Sequence, residues 1–121
     1  MFRVGVSVAP VPDQKLYDTI YQERYMGLPQ DNAEGYSIGS PINFIEGLNG
    51  DLMIVHGSGD DNVHHQGTEK LGNRLVELGK KFDTMVYPNR THSISEVKGT
   101  TPHVCKLIGR YFLEHLPPGL R

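Results

Sequence analysis

Apolar positions along the chain follow two kinds of repeat. Val4 to Ala9 is a short β-branched run halted by Pro10 and Pro12, Leu52 to Val55 is a second run between Gly50 and Gly57, and Asp83 to Tyr87 is a third. Short runs of this kind, apolar without polar alternation, predict strands covered on both faces. Between the second and third runs, Gly67, Leu71, Leu75 and Leu78 lie on one helical face, and Gly79 is positioned as a C-cap. After the third, Val104, Leu107, Ile108, Tyr111, Phe112 and His115 repeat helically until Pro117 and Pro118, whose rings and missing N–H groups forbid continuation. Strands alternating with helices predict parallel βαβ units with right-handed crossovers. The expected architecture is therefore α/β, a layer of about three parallel strands with flanking helices.

The stretch from Asp13 to Glu46 breaks this rhythm. Lys15 to Met26 predicts a helix, after which Gly27, Pro29, Asn32 and Gly35 predict an irregular loop. The whole stretch is expected to be an excursion over the active-site end of the sheet. The final Pro117 to Arg121 is expected to be a short frayed tail. No internal repeat and no low-complexity tract interrupts the chain.

Composition narrows the class. A length of 121 residues suits one domain or part of one. The net charge of -2 leaves neither a basic stripe for nucleic acid nor an acidic tail. The opening MFRVGVSVAP is too short to span a bilayer and lacks a cleavage site, so a buried strand accounts for it and no membrane segment is expected. A lone cysteine excludes an internal disulfide; Cys105 sits within the last helical repeat and is expected to be a small buried hydrophobe. Nothing in these features fixes a compartment, and no cofactor is implied.

The chemistry concentrates in HGSGDDNVH, from His56 to His64, followed by His92 in NRTHS. An acid on a loop after one buried strand and a histidine after the next are two thirds of the triad that an α/β-hydrolase sheet displays. The remaining third, a G-x-S-x-G nucleophile elbow, does not occur in the sequence. Ser58 lies in a GSG turn without a strand-turn-helix elbow and does not replace it. His56, Asp60, Asp61, His64, His65 and His92 are rich in ligand types, but no H-E-x-x-H or spaced Cys/His pattern is present. Adjacent His64 and His65 would also face different sides of a helix, so no metal site is expected. Taken alone, Asp60 or Asp61 equally suits an N-cap for a helix starting near Val63. Tyr17 and Tyr21, four apart, equally suit a core-facing pair.

Three blocks resolve several of these alternatives: VAPV at Val8 to Val11, YDTIYQERYMGLP at Tyr17 to Pro29, and HGSGDDNVH. Through them, from Val6 to His92, the chain resembles the C-terminal part of the catalytic domain of the prolyl oligopeptidase family, closest to its dipeptidyl peptidase IV branch. Beyond His92 the resemblance rests on helical periodicity alone. It implies a partial α/β-hydrolase fold with Asp60 as triad acid, His92 as triad base and Asp61 left as the cap. It also implies that Val11, Tyr17, Tyr21 and Val63 line a pocket for a penultimate proline or alanine. Aromatic faces and branched aliphatics suit a compact pyrrolidine ring. Tyr17 is further implied as an oxyanion donor and Asn62 as a hydrogen-bonding partner of the substrate backbone.

The family's serine elbow would precede Phe2, and the acidic pair that holds a substrate N-terminus is absent. The chain alone is therefore expected to be inactive. The unpaired edge of the Val4 to Ala9 strand is expected to recruit a second copy as a homodimer or larger assembly. Two classes stay open: part of a serine peptidase, or a noncatalytic hydrolase-like module that binds a partner or a peptide.

Overall fold

The computed structural model describes residues 3–116 and Gly119. Strands β1 (Val4–Val8), β2 (Asp51–Gly57) and β3 (Asp83–Tyr87) form one sheet in the order β1-β2-β3. Both pairings are parallel, with Val6 opposite Met53 and Val55 opposite Met85. The three apolar runs thus become the three strands. β2 is longer than its run, because His56 and Gly57 continue in extended conformation and are buried with it. The expected tail lies outside the described residues apart from Gly119.

The period of two along β2 sorts its side chains between two cores. Met53 and Val55 join Tyr87, Ile94 and Tyr111 on one face, against helix α4 (Thr100–His115). Ile54 joins Leu71 and Leu75 on the other, against helix α3 (His65–Glu77). Ile54 and Val55 are fully buried, as a central strand sandwiched between helices requires. α3 closes as its sequence predicts. Gly79 adopts φ 62°, its N–H reaches the Val76 carbonyl at 3.0 Å, and the Lys80 N–H reaches that of Leu75 at 2.9 Å. On α4, Val104, Leu107 and Tyr111 face the sheet, whereas Cys105, about 100° further round the helix, is exposed. The expectation of a buried Cys105 is thereby corrected.

The excursion is more ordered than its glycines and prolines suggest. Its first helix, α1, runs over Thr19–Met26 and begins after Lys15, because Asp18 takes the N-cap and accepts from the Tyr21 N–H at 2.9 Å. Lys15 instead lies in a 3-10 turn, Gln14–Leu16, capped by Asp13. The region read as irregular holds helix α2 (Ala33–Ile38) and a 3-10 stretch, Pro41–Gly47. Asn32 organises it: its Oδ1 accepts from the Gly35 N–H at 3.1 Å and its amide donates to the Met26 carbonyl at 2.8 Å. Tyr36 is buried below, its hydroxyl donating to the Gly27 carbonyl at 2.9 Å. Ile42, Ile45 and Leu48 then return the chain to the α3 side of the sheet.

Candidate active site

All three strands run parallel, so their carboxyl ends open on one edge of the sheet, where side chains from successive loops converge. The loop after β2 carries Asp60 and the loop after β3 carries His92. Backbone contacts clasp the two loops together. The Ser58 N–H donates to the Tyr87 carbonyl at 3.0 Å, the Gly59 N–H to that of Arg90 at 3.1 Å, and the Asn89 N–H to Ser58 Oγ at 2.9 Å. This contact explains the glycines of HGSG. A Cβ on Gly57 would stand 2.2 Å from the Arg90 carbonyl oxygen, and one on Gly59 would stand 3.2 Å from the Asn89 backbone. Ser58 is a clasp residue here.

Asp60 combines two roles that its sequence context set against each other. Its Oδ1 accepts from the N–H groups of Asn62 at 3.0 Å and Val63 at 2.8 Å, folding the chain into a turn before α3. Its Oδ2 meets His92 Nδ1 at 2.9 Å and His56 Nε2 at 3.1 Å. The side chain of Asp60 is fully buried, while that of His92 is 45% exposed. Burial pushes the Asp60 carboxyl upward, but it is overcome. The hydrogen bond from His92, the N–H groups of Val63 and Asn62 and the charge of His92 hold it below its ordinary value. Asp61 caps nothing. It is exposed, and α3 begins only at His65 after a His64 N-cap that makes no side-chain bond.

A carboxylate only accepts, so the His92 nitrogen facing Asp60 carries the hydrogen. In the neutral ring this leaves Nε2 as a free base. The loop behind His92 is held by Glu96, which accepts from the N–H and hydroxyl of Thr91 and from the hydroxyl of Ser93. The Thr91 hydroxyl is the first cause of a lowered Glu96 carboxyl. Ile94 and Val97 in this loop adopt φ of 48° and 67°, a costly conformation for β-branched residues.

The excursion brings Tyr17 to the same edge, where its hydroxyl donates to Asn62 Oδ1 at 3.1 Å. Tyr17 and Asn62 share an open cleft of about 430 Å³ with Leu16, Asp18, Thr19, Asp61 and His64. Tyr21 packs edge-on against Tyr17, with ring centroids 5.7 Å apart, and Tyr25 follows at 5.0 Å from Tyr21. Val11 is half-buried and Val63 is buried at 6% exposure. Neither lines the Tyr17 and Asn62 cleft.

One residue at the centre had no signal as part of an acid and base pair. His56 is fully buried, and besides Asp60 it contacts Thr68 Oγ1 at 2.6 Å and the Val63 carbonyl at 2.8 Å. The sequence marks it as the first residue of HGSGDDNVH, at the polar end of a buried apolar strand, but not as a partner of Asp60.

Comparison with known proteins assigns the chain to a family. The model of the prolyl oligopeptidase family matches residues 1–118, so the likeness continues well past His92, where motifs alone had faded. A protein of Coccidioides posadasii described as "Probable dipeptidyl-aminopeptidase B" is 53% identical over 97 residues, covering 77% of this chain and 10% of the relative. The "Venom dipeptidyl peptidase 4" of Apis mellifera is 37% identical over 115 residues, covering 93% of this chain and 14% of the relative. The crystal structure of Porphyromonas gingivalis dipeptidyl peptidase 4 superposes with a TM-score of 0.92 at 38% identity, over 95% of this chain and 16% of that one. The chain thus spans about a tenth to a seventh of the length of these curated relatives. Its three parallel strands with flanking helices are those of an α/β-hydrolase-like sheet, and the chain belongs to the prolyl oligopeptidase family, in the branch of the dipeptidyl peptidases.

Proposed function

We propose that this chain supplies the general base, His92, and its supporting acid, Asp60, to a serine peptidase that cleaves peptides after a penultimate proline or alanine. The nucleophilic serine comes from a segment outside these residues, and the chain alone is inactive. The observation that carries the reading is the 2.9 Å contact between His92 Nδ1 and the buried Oδ2 of Asp60, with the His92 ring partly open to solvent. With its Nδ1–H held by Asp60, His92 offers the Nε2 lone pair to a serine hydroxyl. As the serine oxygen bonds to the substrate carbonyl carbon, its proton passes to Nε2 and Asp60 stabilises the imidazolium. That proton then goes to the leaving amine nitrogen as the peptide bond breaks.

Tyr17 and Tyr21 are assigned to the aromatic side of the pocket and Val11 and Val63, which stand outside the open cleft of Tyr17 and Asn62, to the rest of it, with Asn62 holding the substrate backbone. The paired Tyr17 and Tyr21 rings support this for a substrate residue that is small, apolar and ring-shaped. The dipeptidyl peptidase names of the relatives point the same way. In isolation, the outer edge of β1 pairs with a second copy, giving a homodimer or larger assembly by edge pairing or by exchange of the segment that carries β1.

Hydrolysis of Gly-Pro-p-nitroanilide tests the catalytic reading. The pure chain is expected to release no p-nitroaniline. A protein extended upstream through an in-frame G-x-S-x-G is expected to hydrolyse it and to lose about six orders of magnitude in kcat on His92→Ala. Release by the chain alone, or an unimpaired His92→Ala variant of the extended protein, overturns the reading.

A further inference from the structure

A fully buried histidine whose ring nitrogens both have partners, one of them the carboxylate that His92 also uses, calls for an account beyond packing. The alternation along β2 sends Val55 toward α4 and Ile54 toward α3. His56, two residues beyond Ile54, therefore faces α3, where Thr68 is buried. The two partners of His56 Nε2 are a carboxylate oxygen of Asp60 and the backbone carbonyl of Val63. Both only accept, so Nε2 carries a hydrogen shared between them. In the neutral ring this leaves Nδ1 to accept from the Thr68 hydroxyl at 2.6 Å, the Nε2–H tautomer. The titratable groups around the ring are Asp60 on its own loop, His92 across the carboxylate, and His65 on α3, whose ring stands edge-on with centroids 5.3 Å apart.

We propose that His56 is a positioning residue for the Asp60 and His92 pair. It holds Oδ2 of Asp60 from the interior while His92 holds the same oxygen from the surface. Through the Val63 carbonyl it also braces the turn whose N–H groups secure Oδ1. The carboxylate thus receives four donors and keeps one rotamer, so that the lone pair facing His92 does not wander. This inference rests on the reading of Asp60 and His92 as acid and base. It adds that the acid is aligned by a second histidine, itself keyed by Thr68. It also explains why β2 runs on into His56 after its apolar run ends.

The test follows the Asp60 carboxyl carbon by NMR titration of the isotopically labelled chain, so no activity is needed. His56→Leu removes the interior donor and is expected to raise the Asp60 titration midpoint by roughly half to one pH unit, with the far-UV circular dichroism unchanged. His56→Gln, whose amide nitrogen reaches the place of Nε2, is expected to restore most of the wild-type midpoint. A purely space-filling role predicts no such difference between two folded variants. The ring nitrogen shifts of His56 in the wild type are expected to be those of the Nε2–H tautomer. An Nδ1–H pattern overturns the inference even if His56→Leu does not fold, and so does a folded His56→Leu with an unmoved midpoint. His92→Ala separates this inference from the reading beneath it. If the midpoint ignores His92→Ala yet responds to His56→Leu, the acid and base reading fails and the role of His56 in holding Asp60 stands.

Discussion

At Gly57 a single added methyl group is enough to part the two loops of the site. Its Cβ would lie 2.2 Å from the Arg90 carbonyl oxygen and 2.8 Å from that of Thr91, both backbone atoms with no rotamer to change. Gly57→Ala is therefore expected to cost about 2–3 kcal/mol, at the upper end of overpacking, and to separate Asp60 from His92. Thermal unfolding together with loss of the Asp60 and His92 contact by NMR checks this, and an unchanged melting temperature refutes it. Asp60 gives a second test, in acid. Its folded-state value lies below the ordinary 3.8, so its contribution to stability is complete above that value and disappears as pH falls through the lower one. Asp60→Asn is expected to be less stable at neutral pH but to lose less on acidification. Some slope remains, because the Asp13 carboxyl, though raised by burial, is lowered overall by its bonds to Lys70 and Lys15. Parallel acid unfolding of wild type and variant, followed by circular dichroism, would remove the charge from the account. These residues also mark what the sequence makes legible. Asp60 and His92 stand out because each follows a strand at a recognisable spacing. The clasp at Gly57, Ser58 and Gly59 and the brace at His56 arise only when two loops and α3 meet, and no local pattern encodes that meeting.

Elements differ in the same way. The three strands and the sheet-facing stripes of α3 and α4 are readable because burial selects apolar residues at periods of two and 3.6. The excursion beyond Met26 reads as a loop because its helical pieces are short and rest on caps and on one buried tyrosine, Tyr36. α1 shows the physics. Ile20, Tyr21 and Tyr25 are exposed, so no apolar stripe anchors the helix, and its start is set by the Asp18 cap. An element held in this way should open locally when the cap is removed. Asp18→Ala is expected to cost about 1 kcal/mol, which corresponds to roughly five-fold faster amide hydrogen exchange within α1. Because Tyr17 immediately precedes the cap, the hydrogen bond from its hydroxyl to Asn62 should weaken with it. Exchange that stays at the wild-type rate would mean that packing, and not the cap, determines where α1 begins.

At the scale of the molecule, the direction of the backbone groups along β1 decides how its outer edge behaves. The Ala9 N–H donates to the Val55 carbonyl and the Arg3 carbonyl accepts from Asp51, so odd-numbered residues of β1 face β2. In a pleated strand the N–H and C=O groups of Val4, Val6 and Val8 then point away from it. Among the described residues no strand pairs with this edge. Three valines with little charge between them make it a template for another strand. The chain alone is therefore expected to dimerise, with the dimer fraction rising over the micromolar range in light scattering. Val8→Pro discriminates the mechanism. It removes an outward N–H at a residue already 46% exposed, leaves the β1 to β2 ladder untouched, and places proline where edge strands tolerate it. If edge pairing holds the copies together, the variant stays folded and scatters as a monomer at concentrations where the wild type is dimeric. If both associate equally, the contact lies elsewhere. The exposed Leu113 and Leu116 near the end of α4 would then be the first place to look for it. A wild type that stays monomeric at high micromolar concentration would mean that the edge is not adhesive at all.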